Sequence, residues 1–374
     1  MVSNADRSDT DRSDTDRSDA DRSDTDPPGL DLVRLRRFLD LVRPGLIDGP
    51  LRAEVIAGGR SNLTYLVGDG AGRWVLRRPP LGQVLATAHD MAREYRVLAA
   101  LGGSAVPVPP AVLLCQDTEV LGVPFYLMGH VPGAVLRDPG AVERLGVARV
   151  RRLGFALIDT LADLHAVVPE RVGLGDFGRP DGFNHRQVHR WQRQLAGSYS
   201  REIPGIGELH RWLAGAVPEV AGGGAIVHGD FRLDNVIVGD SVIGGDSVIG
   251  GDADLRAVLD WEMSTLGDPL GDLALTLLYA GQSTAIGAGD QRPLTEVPGF
   301  PAVAELVARY GARSGRDVTD LRWYRAFAAF KLAAILEGVH FRYLRGRTVG
   351  AGFDRIGERV APLVALGLSV IEEA

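Results

Sequence analysis

His228-Gly229-Asp230-Phe231-Arg232-Leu233-Asp234-Asn235 is followed, after an apolar segment, by Leu259-Asp260-Trp261-Glu262. The two stretches supply an aspartate, an asparagine five residues on, and a second aspartate. A carboxylate can orient and deprotonate an attacking hydroxyl, while an amide oxygen and another carboxylate can hold the divalent cation of a nucleoside triphosphate. Taken singly, such residues are as often turn formers or caps. Here they form a compound pattern framed by the β-rich runs Ala225-Ile226-Val227 and Ala257-Val258-Leu259, which points to phosphoryl transfer.

In its His-Gly-Asp, four residues, Asn loop and its Asp-Trp pair, the chain resembles the aminoglycoside phosphotransferase family of small-molecule kinases, relatives of the protein kinases. The likeness spans roughly residues 31–345. It implies an α+β, bilobal, protein-kinase-like fold: an antiparallel five-stranded N-terminal lobe with a crossing helix, then a larger, mainly helical lobe. It also implies Asp230 as catalytic base, Asn235 and Asp260 as Mg2+ ligands, and Arg232 as the catalytic-loop cation near the transferring phosphate. In this family the aspartate is the base, so His228 is expected to brace the loop.

Size and composition permit such an enzyme. The chain has 374 residues, 45% of them hydrophobic, enough for a sizeable core. Its net charge is −7, of which residues 1–28, with nine Asp and four Arg, contribute −5 and the rest −2. A nearly neutral body gives no support to a nucleic-acid partner. The single cysteine, Cys115, lies in an apolar run and reads as a small core hydrophobe; a cytoplasmic protein follows as the expectation. No apolar stretch reaches the roughly 20 residues of a membrane helix, so no membrane partner is expected.

Residues 7–26 repeat Arg-Ser-Asp-Thr-Asp with period five and hold no apolar side chain larger than alanine. They define a disordered acidic tail, 1–28. The N-terminal lobe is assigned to 29–131. After Pro27-Pro28-Gly29, apolar residues at helical spacing (Leu32, Leu35, Phe38, Leu39, Val42) give a short helix. Strands are expected at 51–57, 63–67 and 73–77, a helix around Met91, Tyr95, Leu98 and Leu101, and further strands at 111–114 and 124–128. Helical periodicity dominates the second lobe, 132–374, at 150–167, 186–195, 207–217, 271–279, 302–313 and 321–344. A Gly-Asp-Ser-Val-Ile-Gly repeat at 239–250 reads as a lengthened hairpin loop, tolerable because each doubling of loop length costs only about 0.6 kcal/mol.

Gly58-Gly59-Arg60-Ser61-Asn62 stands between two expected strands, where Gly59, Ser61 and Asn62 could bring N–H and side-chain donors to phosphate oxygens. Protein kinases grip those phosphates with a third-strand lysine paired to a helix glutamate. This chain's lone lysine is Lys331, deep in the helical half; the third strand reads Trp74-Val75-Leu76-Arg77-Arg78. Arg77 shares the parity of Val75 and so faces inward, with Glu94 on the next helix as its partner; the alternative is a surface salt bridge. Phe125-Tyr126-Leu127-Met128-Gly129-His130-Val131 before Pro132-Gly133 resembles the inter-lobe hinge, with backbone of Gly129 and Val131 at the adenine edge and Met128 packed behind. His165 reads as a structural histidine capping a helix end, and Asp268 as a helix N-cap with Pro269 at the first position. Asp272 is placed to tie down the catalytic loop, and Glu262 to touch metal or acceptor.

The expectation is an ATP- and Mg2+-dependent transfer of the γ-phosphate to a hydroxyl of a small molecule. Val258 to Pro269 and Val75 to Pro80 look closest to the family subgroup found with acyl-CoA dehydrogenases, which implies a hydroxyacyl acceptor. Arg186, Arg190, Arg193, Arg342, Arg345 and Arg347 also favour a neutral or anionic acceptor over a polycationic antibiotic. The alternatives are an aminoglycoside 3'-type phosphotransferase and a catalytically silent ATP-binding module. Oligomeric state is left open.

Overall fold

The computed structural model describes residues 26–56, 62–81, 90–220, 224–239, 255–282, 292–348 and 352–373. The expectations for most of the acidic tail, for Gly59 and Ser61, and for nearly all of the Gly-Asp-Ser-Val-Ile-Gly repeat lie outside the described residues.

Helix α1 (Leu32–Val42) starts where the Asp31 side chain accepts from the Arg34 N–H at 2.9 Å. Strands β1 (Arg52–Val55), β2 (Leu63–Gly68), β3 (Arg73–Arg78), β4 (Ala111–Cys115) and β5 (Phe125–Gly129) form an antiparallel sheet in the order β1-β2-β3-β5-β4. Helix α2 (Met91–Leu101), capped by Asp90, joins β3 to β4, and the short α3 (Thr118–Leu121) lies between β4 and β5. Period-2 alternation explains why both faces of the sheet are covered. Tyr65, Val67, Leu76, Leu113, Phe125 and Leu127 pack with Leu35 and Leu39 of α1. Val75, Tyr126 and Met128 point the other way, into the core shared with α2 and the helical half. Leu35 and Leu39 are 0% exposed, and each such burial contributes about 1.5–3 kcal/mol. Cys115 is buried in the α1-side cluster, as a core hydrophobe should be.

The helical half contains α4 (Pro139–Glu143), α5 (Val147–Ala166), α6 (Phe183–Gly197), α7 (Ile206–Gly215), α8 (Pro269–Gly281), α9 (Val303–Ser314), α10 (Arg322–Leu344) and α11 (Val360–Glu372). Six of these match the helical runs read from the periodicity. α11 was not foreseen: Pro362 falls within its first turn, which a helix tolerates. Between α7 and α8 come β6 (Ala225–Val227), β7 (Val236–Val238), β8 (Leu255–Val258) and β9 (Thr265–Gly267). β7 pairs with β8 and β6 with β9, so the expected hairpin flanks are present and the quoted motifs sit on the ends of two small ladders. Gly133 and Ala134, just after β5, reach these ladders. Ala134 bridges Val238, and a Cβ on Gly133 would come within 2.5 Å of the Val238 carbonyl oxygen.

Candidate active site

The loop carrying Asp230 is held by its backbone. Asp272, in the first turn of α8, accepts from the N–H groups of His228 at 2.6 Å and Gly229 at 2.8 Å. Gly229 has φ +84°, and a Cβ there would lie 2.8 Å from the Met263 carbonyl oxygen, so the position needs glycine on both counts. The His228 ring donates from Nε2 to the Leu259 carbonyl at 2.8 Å and accepts the Asp230 N–H on Nδ1 at 3.2 Å. It therefore braces the loop, as expected. His165 does not cap its helix. Its Nε2 faces Asp272 at 3.4 Å and its Nδ1 accepts from the Tyr310 hydroxyl at 2.7 Å, so it is a buried brace for the residue that holds the loop. Burial would raise the Asp272 carboxyl, but the bonds from His165 and from backbone N–H win and hold it low; burial keeps the His165 ring below its ordinary value.

Around the Asp230 carboxylate, the Tyr279 hydroxyl donates to Oδ1 at 2.6 Å and Asn235 Nδ2 donates to Oδ2 at 3.1 Å and to the main-chain oxygen at 2.9 Å. Tyr279 escaped the sequence reading because it looked like one more apolar position of α8. Burial, and then the Asp230 charge, push its phenol well up, so it remains a donor. Arg232 lies over the Tyr279 ring, 4.6 Å from its centroid, and chelates Asp234 through Nε and Nη2. Against the pull of burial, Asp234 and Asp230 keep its guanidinium firmly charged.

Asp260 is brought alongside by the backbone: the Leu259 N–H donates to the Asn235 carbonyl at 2.8 Å. Among the described residues Asp260 is the sole non-glycine with positive φ, at 64°. Such a conformation costs of order 1–3 kcal/mol and clusters at functional sites. Asp268 caps α8, accepting from Leu270 N–H at 3.1 Å, and also takes bonds from Asn184 and Tyr324.

Arg77 spans the two halves. Its Nη1 lies 3.3 Å from Glu94 Oε2 and its Nη2 3.0 Å from Asp260 Oδ1, with side-chain exposures of 11%, 2% and 32%. The surface-pair alternative is thus ruled out. Burial pushes the Glu94 carboxyl up although Arg77 pulls it down, while Tyr126, Glu94 and Asp260 outweigh burial to raise Arg77. Tyr126 and Asn62 donate to the two Glu94 oxygens at 3.0 and 2.9 Å. Asn62 is therefore engaged on the α2 glutamate. Met128 is buried in β5 opposite Val75. The Gly129 N–H donates to the Pro110 carbonyl at 2.8 Å, and Val131 follows outside the strand. Arg93 adds a second link across the halves, donating to the carbonyls of Phe177 at 2.7 Å and Ser264 at 3.1 Å.

Among the described residues no group of three or more His, Cys, Asp and Glu is arranged to hold a metal, and no helix is long and apolar enough to cross a membrane. The family model described as "Phosphotransferase enzyme family" matches residues 52–327. The chain is 36% identical over 344 residues to acyl-CoA dehydrogenase family member 11 of Gallus gallus, covering 90% of this chain and 43% of that protein. It thus spans less than half the length of that relative. A putative aminoglycoside phosphotransferase from Ralstonia eutropha superposes with a TM-score of 0.78 at 32% identity, covering 92% of this chain and 99% of the other. An aminoglycoside phosphotransferase solved with AMP-PNP and hygromycin B, at 15% identity, TM-score 0.54 and coverages of 91% and 99%, shares the fold. With its kinase-like sheet and its loop and hairpin built around Asp230, Asn235 and Asp260, the chain belongs to the phosphotransferase enzyme family of small-molecule kinases.

Proposed function

We propose that the protein transfers the γ-phosphate of ATP to a hydroxyl of a small molecule, with Asp230 as the base. The observation that carries this reading is the Asp230 carboxylate, whose oxygens are fixed by Tyr279 and Asn235. Such a fixed acceptor can align a hydroxyl and take its proton. Both donors on Asn235 Nδ2 are turned toward Asp230, which leaves its amide oxygen for a cation; Asp260 gives one oxygen to Arg77 and keeps the other. Two oxygens fit Mg2+, which draws its remaining ligands from phosphates and water. When bound, the ion neutralises charge on the transferring phosphoryl group. Arg77 replaces the strand lysine and would grip phosphate oxygens, Arg232 would offset charge on the transferring group, and Gly59 and Ser61 would cover it, whereas the Asn62 side chain is committed to Glu94 and is not a phosphate donor. Met128, Gly129 and Val131 would seat the adenine.

For the acceptor we favour a hydroxyacyl compound. The family subgroup and the likeness to proteins named for acyl-CoA dehydrogenase support it, as do the exposed Arg190, Arg193, Arg342 and Arg345 of the helical half. A soluble cytoplasmic setting accords with the lone buried Cys115. The test is turnover of ATP and Mg2+ over a panel of hydroxyacyl compounds and aminoglycosides. Asp230→Ala should lose about 10²- to 10⁴-fold in kcat while still binding ATP. An unchanged rate would remove Asp230 from its role; ATP binding with no turnover on any acceptor would leave a silent nucleotide-binding module.

A further inference from the structure

The lone lysine of this chain is absent from the nucleotide side and present on the opposite side of the catalytic loop. Lys331 projects from α10, and its Nζ donates to the Gly229 carbonyl at 2.8 Å. The same residue's N–H is held by Asp272 at 2.8 Å. The residue preceding the base is thus gripped at its N–H by an anion and at its carbonyl by a cation, and its own φ of +84° admits only the backbone shape that glycine supplies. The ammonium lies 5.5 Å from the Trp191 ring centroid. Asp230 and Asp272 act on it as attractive charges and Arg190 as a repulsive one.

A neutral donor would satisfy one carbonyl. Drawing an ammonium even partly out of water is costly, and Lys331 is half-buried beside the loop. Burial outweighs the pull of the nearby carboxylates Asp272 and Asp230, which offset part of that cost, one holding the loop and the other forming the proposed base.

We infer that Lys331 is a positioning residue for phosphoryl transfer: by clamping Gly229 against Asp272 and by placing positive charge beside Asp230, it fixes the carboxylate against the acceptor hydroxyl. The inference rests on the kinase reading given above. It assigns Lys331 no contact with the nucleotide, which separates it from the lysine of protein kinases.

The experiment compares Lys331→Met, Lys331→Gln and Lys331→Arg with the full-length protein. Steady-state phosphorylation of the best acceptor in the panel, or ATP hydrolysis with water as acceptor, is measured alongside hydrogen exchange of the Gly229 and Asp230 amides. Met keeps the length and apolar stem, Gln keeps a donor without charge, and Arg keeps the charge. Lys331→Met should lower kcat by about 10²-fold, the cost of misplacing a reacting group by about 1 Å. KM for ATP should stay within about twofold, exchange of both amides should accelerate, and Arg should recover more activity than Gln. Equal kcat in wild type and Lys331→Met would overturn the inference while leaving the kinase reading intact. A wild type with no turnover would sink the kinase reading, and the exchange data would then decide the clamp alone: unchanged protection in Lys331→Met overturns it.

Discussion

Arg77 and Asp260, 183 positions apart in the chain, meet at 3.0 Å, so the sheet and the catalytic hairpin share one ion pair. The same guanidinium pairs with Glu94 on α2. One arginine therefore ties together β3, the helix α2 beside it and the proposed metal ligand.

Arg77→Met should destabilise the fold by about 3–5 kcal/mol, because it strands Glu94 in a buried setting where burial already pushes its carboxyl up. Thermal unfolding would register this as a lowered Tm. Arg77→Lys should keep most of the stability but raise KM for ATP, since an ammonium cannot hold two carboxylates with a planar fork. A lysine variant with wild-type KM would show that the fork is dispensable.

Tyr279→Phe removes the 2.6 Å bond to Asp230 Oδ1 and leaves the ring under Arg232. A hydrogen bond to a charged group contributes about 1.5–3 kcal/mol, so kcat should fall by at least about tenfold if the bond is needed in the transition state. Circular dichroism should be unchanged. Steady-state kinetics that match wild type would reduce Tyr279 to packing.

Stability should decline as pH drops below about 6.5. The buried His165 ring has a folded pKa below its unfolded value of 6.5, so the unfolded chain takes up the proton first. The contribution of the neutral ring is complete above 6.5 and is lost as pH falls toward the lower folded value. Asp272, also held low, contributes above its unfolded value of 3.8 and loses that contribution in stronger acid. Calorimetric Tm values at steps from about pH 8 to about pH 5 should slope less for His165→Gln than for wild type. Parallel slopes would assign the acid sensitivity to other groups.

Much of this architecture was readable in the one-dimensional pattern. Apolar runs set off by Gly-rich turns located the five strands of the sheet, and 3.6-residue periodicity located α1, α2 and six helices of the second half to within a few residues, because each helix must bury one face. The loop and its asparagine were readable for a similar reason: Asp230 and Asn235 are five positions apart and make their contact within one turn of chain. Arg77 and Glu94 could be paired from strand parity and the following helix. α11 went unread because its run is apolar nearly all round, and the short α3 and α4 because so few residues carry little periodic signal.

What the linear order determined, then, is local chemistry and local shape: which residues can take a proton or hold a cation, and which segments wind or extend. The tie from Asp272 to the loop could be anticipated from sequence, but folding alone decided that Tyr279 would reach Asp230 across 49 positions and Lys331 the Gly229 carbonyl across 102. No periodicity encodes such contacts. They arise where α8 and α10 pack against the loop, and there a tyrosine or lysine looks in sequence like any other residue of a buried helix.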